Sequence, residues 1–193
     1  MDENQIKDGS GESFLAGVNQ RNQLLTRSVA IAPIAEASLR GEAFSWTAVS
    51  ADIDAGDTAL VVTNKSDTKW LVISSAYIRV DVETQVKFHL PAVFTATPGT
   101  EVVGVNLNTN FANTALAKAY CDDDGVAFVA ANTILTLYLP NAVNAQVTTS
   151  ISQLVDFKDA VILSYNESLA VDIVTEPGAL ECTFTGYYIE PPA

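Results

Sequence analysis

Residues 70–90 of the chain read WLVISSAYIRVDVETQVKFHL, and this stretch decides the fold class. From residue 78 onwards apolar and charged side chains alternate, which is typical of a β-strand with one buried face. We predict one long strand over residues 70–82 and a returning strand over residues 84–90. A strand that returns directly indicates an antiparallel β-protein.

Most of the remaining chain repeats this pattern of β-branched or aromatic runs between turn-forming residues. After a weakly alternating stretch at 28–34, the predicted strands are 42–50, 58–63, 101–107, 132–139, 159–165, 168–175 and 180–190. The Ala-rich stretch near 112–120 is predicted to form a short helix instead. We therefore expect an all-β sandwich of about 8–10 strands. The long connection 141–158 favours a β-sandwich of jelly-roll type over a simple meander.

The first 27 residues differ from the rest. We predict an extended N-terminal arm over residues 1–27 and the jelly-roll β-sandwich domain over residues 28–193. The arm is polar and holds three basic and four acidic residues. Its apolar residues fall near helical spacing, and they include Phe14, Leu15, Val18 and Leu25. Such a segment either frays at the terminus or becomes ordered against another subunit.

The composition excludes two classes of partner. Ten Lys and Arg stand against 23 Asp and Glu, which gives a formal net charge of −13. A chain this acidic has no general basic surface for nucleic acid. Residues 125–155 carry no charge, yet Asn, Thr, Gln and Pro interrupt them too often for a helix across a bilayer. The polar, acidic N-terminus also argues against a secretory signal. We expect neither nucleic acid nor a membrane as partner.

Few residues are available for catalysis or metal binding. His89 is the one histidine of the chain, and no serine lies in a Gly-x-Ser-x-Gly motif. We therefore expect no enzyme, no metal site and no cofactor. Cys121 and Cys182 are predicted to be two buried thiols. The acidic cluster 52–57 lacks the acid that would complete a calcium loop and is predicted to be a turn. Residues 122–124, all Asp, are predicted to form a solvated acidic loop.

Exposed aromatic rings would indicate a carbohydrate-binding sandwich. The candidates for such a platform are Trp46, Trp70, Tyr187 and Tyr188. Trp46 shares a strand face with Phe44, which favours the core. Tyr187 and Tyr188 point to opposite sides of their strand, so we expect one of them to be buried. Core packing is the preferred interpretation for most of these rings.

Charge is missing from three long segments, at residues 88–100, 102–117 and 125–155. Alternating strands of a monomer normally carry charges on the solvent face, whereas Thr, Asn, Ser, Gln and Ala occupy these positions here. Depletion of charge is typical of the centre of a subunit interface. An uncharged polar surface is the alternative. We predict a homotrimer with Leu137 and Val147 at its interface.

Three stretches give the chain a likeness to a known family. They are GESFLAGVNQRN at 11–22, DAVILSYNE at 159–167 and TFTGYYIE at 183–190. Together with the Thr- and Ala-rich β-domain, they resemble structural proteins of tailed-phage heads, in particular capsid decoration (cement) proteins with a jelly-roll fold. The resemblance implies a homotrimer that binds the major capsid protein and stabilises the shell. It also implies a place in the virion, on the outer capsid surface, after synthesis in the host cytoplasm.

The arm is the predicted contact with the shell. Its partner-binding residues are Phe14, Leu15, Val18, Arg21, Leu24, Leu25 and Arg27. The apolar side chains would be buried on the shell, and the two arginines would pair with acidic groups there. Because the arm is net acidic, an exterior place is favoured over contact with the genome. A head fibre, or a tail-associated receptor- or carbohydrate-binding β-sandwich, is the alternative function.

Overall fold

The computed structural model describes residues 5–7, 13–15, 32–50, 53–91, 93–94, 99–121, 126–127, 132–140, 151–175 and 177–191. The chain divides into two compact units, residues 1–32 and 33–193. The boundary that we placed after residue 27 stays a prediction.

In the first unit, strand β1 (Gln5–Lys7) pairs antiparallel with strand β2 (Ser13–Leu15). The helical spacing that we read in the arm is therefore wrong at Phe14 and Leu15, which lie on β2. The other predicted arm contacts lie outside the described residues, and these are Val18, Arg21, Leu24, Leu25 and Arg27.

The second unit contains one α-helix and thirteen strands within the described ranges. The helix is α1 (Pro33–Leu39). The strands are β3 (Ala43–Ser50), β4 (Thr58–Thr63), β5 (Trp70–Val80), β6 (Thr84–His89), β7 (Val93–Phe94), β8 (Thr100–Val102), β9 (Val105–Asn106), β10 (Lys118–Cys121), β11 (Val126–Ala127), β12 (Thr133–Leu139), β13 (Ile151–Leu163), β14 (Ser168–Ile173) and β15 (Leu180–Ile189).

Two antiparallel sheets contain eleven of these strands and enclose a common core. One sheet has the order β12-β6-β14-β4-β10-β8, and the other has the order β13-β5-β15-β3-β9. The pairing is nested along the chain, since β3 pairs with β15, β4 with β14, β5 with β13 and β6 with β12. The short strands β7 and β11 pair with each other. The all-β sandwich that we predicted is confirmed.

The core lies between the two sheets, where every second side chain of a strand points inward. Trp46 and Phe44 of β3 are both buried, as their shared strand face predicted. Phe88 of β6 meets Phe157 of β13 edge-on, with ring centroids 5.6 Å apart. Its ring centroid is 6.4 Å from that of Phe184 on β15. These contacts join the two sheets, because β6 belongs to one sheet and β13 and β15 to the other.

The helix that we predicted near residues 112–120 is absent from the structure. Residues 118–121 form strand β10 instead, which pairs with both β4 and β8. Ala117 and Ala119 are buried against the core. We read these alanines as helix formers, but here they are small side chains that let a strand pack closely. Tertiary packing overrides the local helix propensity.

The observed helix, α1, lies where we read the end of a weak strand. Pro33 begins it, and a proline at the first position costs no helical hydrogen bond. Gly41 follows its end with a φ of 70° and donates its N–H to the Ser38 carbonyl at 3.0 Å. The Glu42 N–H reaches the Ala37 carbonyl at 2.9 Å, which completes a Schellman motif.

With seven residues, α1 is too short to cross a bilayer, and the described ranges hold no longer helix.

Strand β13 begins at Ile151, well before the predicted strand over 159–165, so residues 151–158 are strand rather than connection. A bulge between Asp156 and Val161 interrupts its pairing with β5. Lys158 and Asp159 within the bulge have φ values of 50° and 60°. The bulge breaks the alternation of side chains, which is why the sequence pattern did not reveal the whole strand.

The predicted strand over 101–107 is split into β8 and β9, which belong to different sheets. The chain crosses between the sheets at Gly104, beside the indole of Trp46. A Cβ atom at this position would lie 2.5 Å from Trp46 Nε1. Only glycine lets the backbone pass so close to the ring.

Candidate functional site

Residues 53–57 form a turn, as predicted. The Asp54 N–H donates to Asp57 Oδ2 at 2.9 Å, and Gly56 has a φ of 100°. The Asp57 carboxylate is therefore used within the turn. Among the described residues, no three metal-ligating side chains converge. Asp52 and residues 122–124 lie outside those ranges.

Cys121 and Cys182 are thiols buried in the core, which confirms the prediction. Burial, with a smaller contribution from Cys121, raises the pKa of the Cys182 thiol far above its usual value. A protonated thiol without access to solvent is a poor nucleophile and a poor metal ligand. Both cysteines therefore contribute to packing.

His89 lies at the end of β6 between two polar neighbours. Its Nε2 is 3.4 Å from Asp172 Oδ2 on β14, and its Nδ1 is 3.3 Å from Thr133 Oγ1 on β12. A hydroxyl, an imidazole and a carboxylate thus stand in the order that nucleophilic hydrolases use. However, only 2% of His89 is exposed, so the ring offers no surface to a substrate. We interpret the group as a polar contact across three adjacent strands.

The aromatic residues that could have bound a sugar do not form a platform. Trp46, Tyr187 and Tyr188 are all buried, and Trp70 at the start of β5 is half-buried. Tyr188 accepts a hydrogen bond from the Ala117 N–H at 2.7 Å, and burial raises the pKa of Tyr188 to about 12. We expected one of the two tyrosines to be buried, and both are. Tyr187 packs with Ala37 of α1, because this helix covers the outer side of the sheet there.

A cleft of about 420 Å³ lies beside Glu42 and Lys69 and is also lined by Asn113 and Thr114. Glu42 contacts both Lys69 Nζ and Arg40 Nε. Burial by itself would raise the pKa of the Glu42 carboxyl, but the hydrogen bonds and charges of Lys69 and Arg40 outweigh it and lower that pKa. The two charged residues of the cleft therefore neutralise each other, and its other polar groups are amides and hydroxyls.

The exposed apolar side chains are concentrated where the sequence lacks charge. Of the thirteen large apolar side chains found exposed in the described part of the chain, eight lie in segments 102–117 and 125–155. Residues 102–117, which we call the strip, contribute five of them, namely Val103, Val105, Leu107, Phe111 and Leu116. Val103 is the most exposed of the thirteen, at 76%.

Asparagine side chains anchor the strip to the end of α1. Asn106 Nδ2 donates to the Gly41 carbonyl at 2.9 Å, and Asn113 Nδ2 donates to the same carbonyl at 3.2 Å. Asn108 Nδ2 donates to the Ser38 carbonyl at 3.0 Å. Two of these amides thus bond to the Gly41 carbonyl just after the helix, and the third bonds to the Ser38 carbonyl in its last turn. The strip is thus held in place with its apolar side chains outward.

The second apolar surface is strand β12, which forms one edge of the six-stranded sheet. Ile134 and Tyr138 are 45% and 59% exposed on one of its faces. Leu135 and Leu137 on the other face are half-buried against the core. Our prediction that Leu137 lies at a trimer interface stays a prediction, and Val147 lies outside the described residues. The charge-free run drew attention to this region, but the sequence did not reveal that β12 is an edge.

Comparison of the chain with protein-family models, with curated proteins and with solved structures finds no match. The geometry of the strip and of β12 is therefore the basis on which a function can be proposed.

Proposed function

We propose that this chain is a virion structural protein that decorates and stabilises the outer surface of a phage capsid as a homotrimer. The observation that carries the proposal is the strip, where five exposed apolar side chains lie in a segment without charge. Copies of a chain with a net charge of −13 repel one another over most of their surface. Contact is least opposed where the surface is uncharged and apolar.

The strand order supports the jelly-roll type that we predicted. The first four long strands, β3 to β6, pair in reverse order with the last four, β15 to β12. Nested pairing of this kind is the connectivity of two interlocked Greek keys, as found in viral capsid and lectin domains. The fold alone leaves the activity open between these classes.

The buried aromatic rings weigh against the carbohydrate-binding alternative. Stacking on sugars needs exposed ring faces, whereas Trp46, Tyr187 and Tyr188 are inside the protein. An assembly role makes no such demand, since it uses the exposed apolar side chains that the strip provides.

Light scattering after size-exclusion chromatography tests the trimer. We expect the mass of the full chain in solution to be a multiple of three chains of 20.5 kDa. Val103→Asp should lower the trimer fraction, because it introduces a like charge into each copy of the contact. Val49→Asp is the matched control, since Val49 is also strongly exposed but lies outside the charge-free segments. Leu137→Asp is less informative, because Leu137 is half-buried against the core.

Cosedimentation tests the role on the capsid. Heads of the phage that carries this gene, prepared without the protein, should bind it saturably in multiples of three chains. The same heads should resist heat better when they are fully occupied. A chain that remains monomeric at micromolar concentration, or heads that bind none of it, would contradict the proposal.

A further inference from the structure

We propose that β12 is a second self-association surface, on which two copies of the chain pair edge to edge about a two-fold axis. The inference rests on an unguarded sheet edge, so it does not require the proposed capsid role. It predicts a symmetric contact in addition to the three-fold contact of the proposed trimer.

The sandwich has four sheet edges in the described ranges, and three of them are poor templates for another strand. These edges are β8, at the other end of the six-stranded sheet, and β9 and β13, the two edges of the five-stranded sheet. Strand β8 has three residues and carries Glu101, and β9 has only two residues. Strand β13 is long but is bent by its bulge and carries Asp156 and Lys158 there. Short length, bulges and charges are the features that prevent edge-to-edge association.

Strand β12 is neither short nor charged, and the one irregularity in its pairing with β6 lies at its start, between Thr133 and Leu135. Its seven residues, TILTLYL, contain no charge and no proline. It pairs with β6 on one side, and within the described residues no strand pairs with its other side. An apolar edge of seven residues without charge or proline is a template for a further strand. Leu135 and Leu137, which are half-buried at the margin of the core, would be covered by that strand.

The sequence of β12 fits a second copy of itself. When two antiparallel copies are centred on Thr136, all seven residues overlap, and Pro140 stays outside the ladder. In this register Ile134 of one copy lies opposite Tyr138 of the other, twice in each dimer. Pairs of aromatic and β-branched residues stabilise antiparallel strands. The exposed residues of both copies lie on the same face of the joined sheet, and Leu135 lies opposite Leu137 on the inner face.

The overall charge of the chain favours this occupant. Two chains that each carry a net charge of −13 repel each other, so they associate most easily through a surface without charged side chains. Strand β12 contains no charged residue. Because both partners use the same surface, the contact is isologous and closes after two copies.

Lysine substitutions at exposed positions test the pairing. Thr136→Lys places two like charges directly opposite each other at the proposed axis, which should raise the dissociation constant about tenfold or more. Ile134→Lys should have a similar effect. Val49→Lys is the control, because Val49 is exposed on β3, which lies between two other strands. At concentrations where the chains are dissociated, the melting temperature should stay unchanged in all three variants, since none of these side chains is buried in the single chain.

A charge pair tests the register. Adding Tyr138→Glu to Ile134→Lys puts an introduced lysine opposite an introduced glutamate in both halves of the dimer. Association should therefore recover in the double variant, whereas Tyr138→Glu alone should weaken it. Failure of the double variant to recover would overturn the register centred on Thr136.

The mass measured by light scattering separates this inference from the proposed trimer. If the wild-type assembly contains six chains and the Thr136→Lys assembly contains three, both contacts are supported. If the wild-type assembly contains two chains and the variant is a monomer, the β12 contact is supported without the trimer. A wild-type mass of one or three chains at high micromolar concentration overturns the β12 contact. So does an even-numbered assembly that Thr136→Lys leaves intact. Loss of head binding by Thr136→Lys without a change of mass would assign the edge to the shell instead.

Discussion

Asn64 ties the two sheets of the sandwich together, and its removal gives a quantitative test of the structure. The residue directly follows β4 in the six-stranded sheet and is fully buried. Its Nδ2 donates to the Lys69 carbonyl at 2.8 Å and to the Leu163 carbonyl at 2.9 Å. Its Oδ1 accepts from the Ser66 N–H at 3.0 Å. Lys69 precedes β5 and Leu163 ends β13, both in the five-stranded sheet.

Asn64→Ala removes three hydrogen bonds, each with a net value of about 1 kcal/mol. We therefore expect the free energy of unfolding to fall by about 3 kcal/mol, which lowers the melting temperature of a chain of this length by about 6–12 °C. The decrease in melting temperature should lie at the upper end of this range if water does not replace Asn64 as the partner of the Lys69 and Leu163 carbonyls and of the Ser66 N–H.

Asn64→Asp adds a pH signature that alanine lacks. A carboxylate at this position faces two carbonyl oxygens, which disfavour its charged form and raise its pKa in the folded state. When the pKa of an acid is higher in the folded than in the unfolded state, the free energy of unfolding falls as pH rises through the folded-state pKa. The destabilisation is smallest at pH values below the unfolded-state pKa. The aspartate variant should therefore lose more stability at pH 7.5 than at pH 4.5, relative to wild type at each pH.

Urea unfolding at the two pH values, with calorimetry at pH 7.5, measures both effects. Asn110→Ala is the control, since Asn110 is an exposed asparagine in another loop, and it should change the melting temperature by less than about 2 °C. An Asn64→Ala variant as stable as this control would refute the role of Asn64. Equal losses for Asn64→Asp at both pH values would refute the assigned orientation of its amide.

Three further predictions concern the histidine, an ion pair and the arm. His89→Ala should lower the melting temperature by a few degrees through loss of the Asp172 contact, yet leave assembly mass and head binding unchanged; loss of a catalytic activity would contradict this. Glu42→Gln should reduce the loss of stability that the protein shows below about pH 4.5. The pKa of Glu42 is lowered in the folded protein, so its contribution to stability disappears as the carboxyl becomes protonated. An equally steep fall of the free energy of unfolding at acid pH, measured by urea titration of the variant, would contradict this. Deleting residues 1–25 should reduce occupancy on heads while the melting temperature stays nearly constant, and full binding by the truncated chain would move the shell contact to the sandwich.

The sequence predicted those strands whose signals are local and complete. Strand β4 occupies residues 58–63 as predicted, because a β-branched run stands between a Gly-containing turn and Asn64. Strand β15 matches to within one residue for the same reason. Leu60 and Val62 of β4, and Leu180, Cys182 and Phe184 of β15, belong to the apolar core, so packing and local propensity agree.

The errors arose where a local pattern had two physical explanations. The alanines around residue 117 suit a helix in isolation, but they also suit a crowded strand, and only the neighbours β4 and β8 decide between these. At α1, Pro33 and Gly41 are start and stop signals of a helix, whereas the weak alternation over residues 28–34 indicated a strand. Edge status is harder still, because β12 becomes an edge through pairings made by residues distant in the sequence.

The absence of charge has different causes in the strip and in β12. In the strip, Asn106, Asn108 and Asn113 must donate amide hydrogens to backbone carbonyls, which a carboxylate cannot do. The missing charge at these positions is therefore explained within the chain. The need for amide donors does not explain why the exposed position 103, also in the strip, holds an uncharged valine.

On β12 the exposed positions are Ile134, Thr136 and Tyr138, and each could hold a lysine or a glutamate without loss of a core contact. A charge there would also protect the edge against association, which most natural edge strands require. Nothing in the packing of β12 on its own sheet accounts for three uncharged residues at these positions. Contact with another copy does, because a charge at residue 136 would lie directly opposite the same charge in the partner strand, and a charge at residue 134 or 138 would replace a stabilising pair of an aromatic and a β-branched residue. The uncharged outer face of β12 is thus stronger support for self-association than the uncharged sequence of the strip.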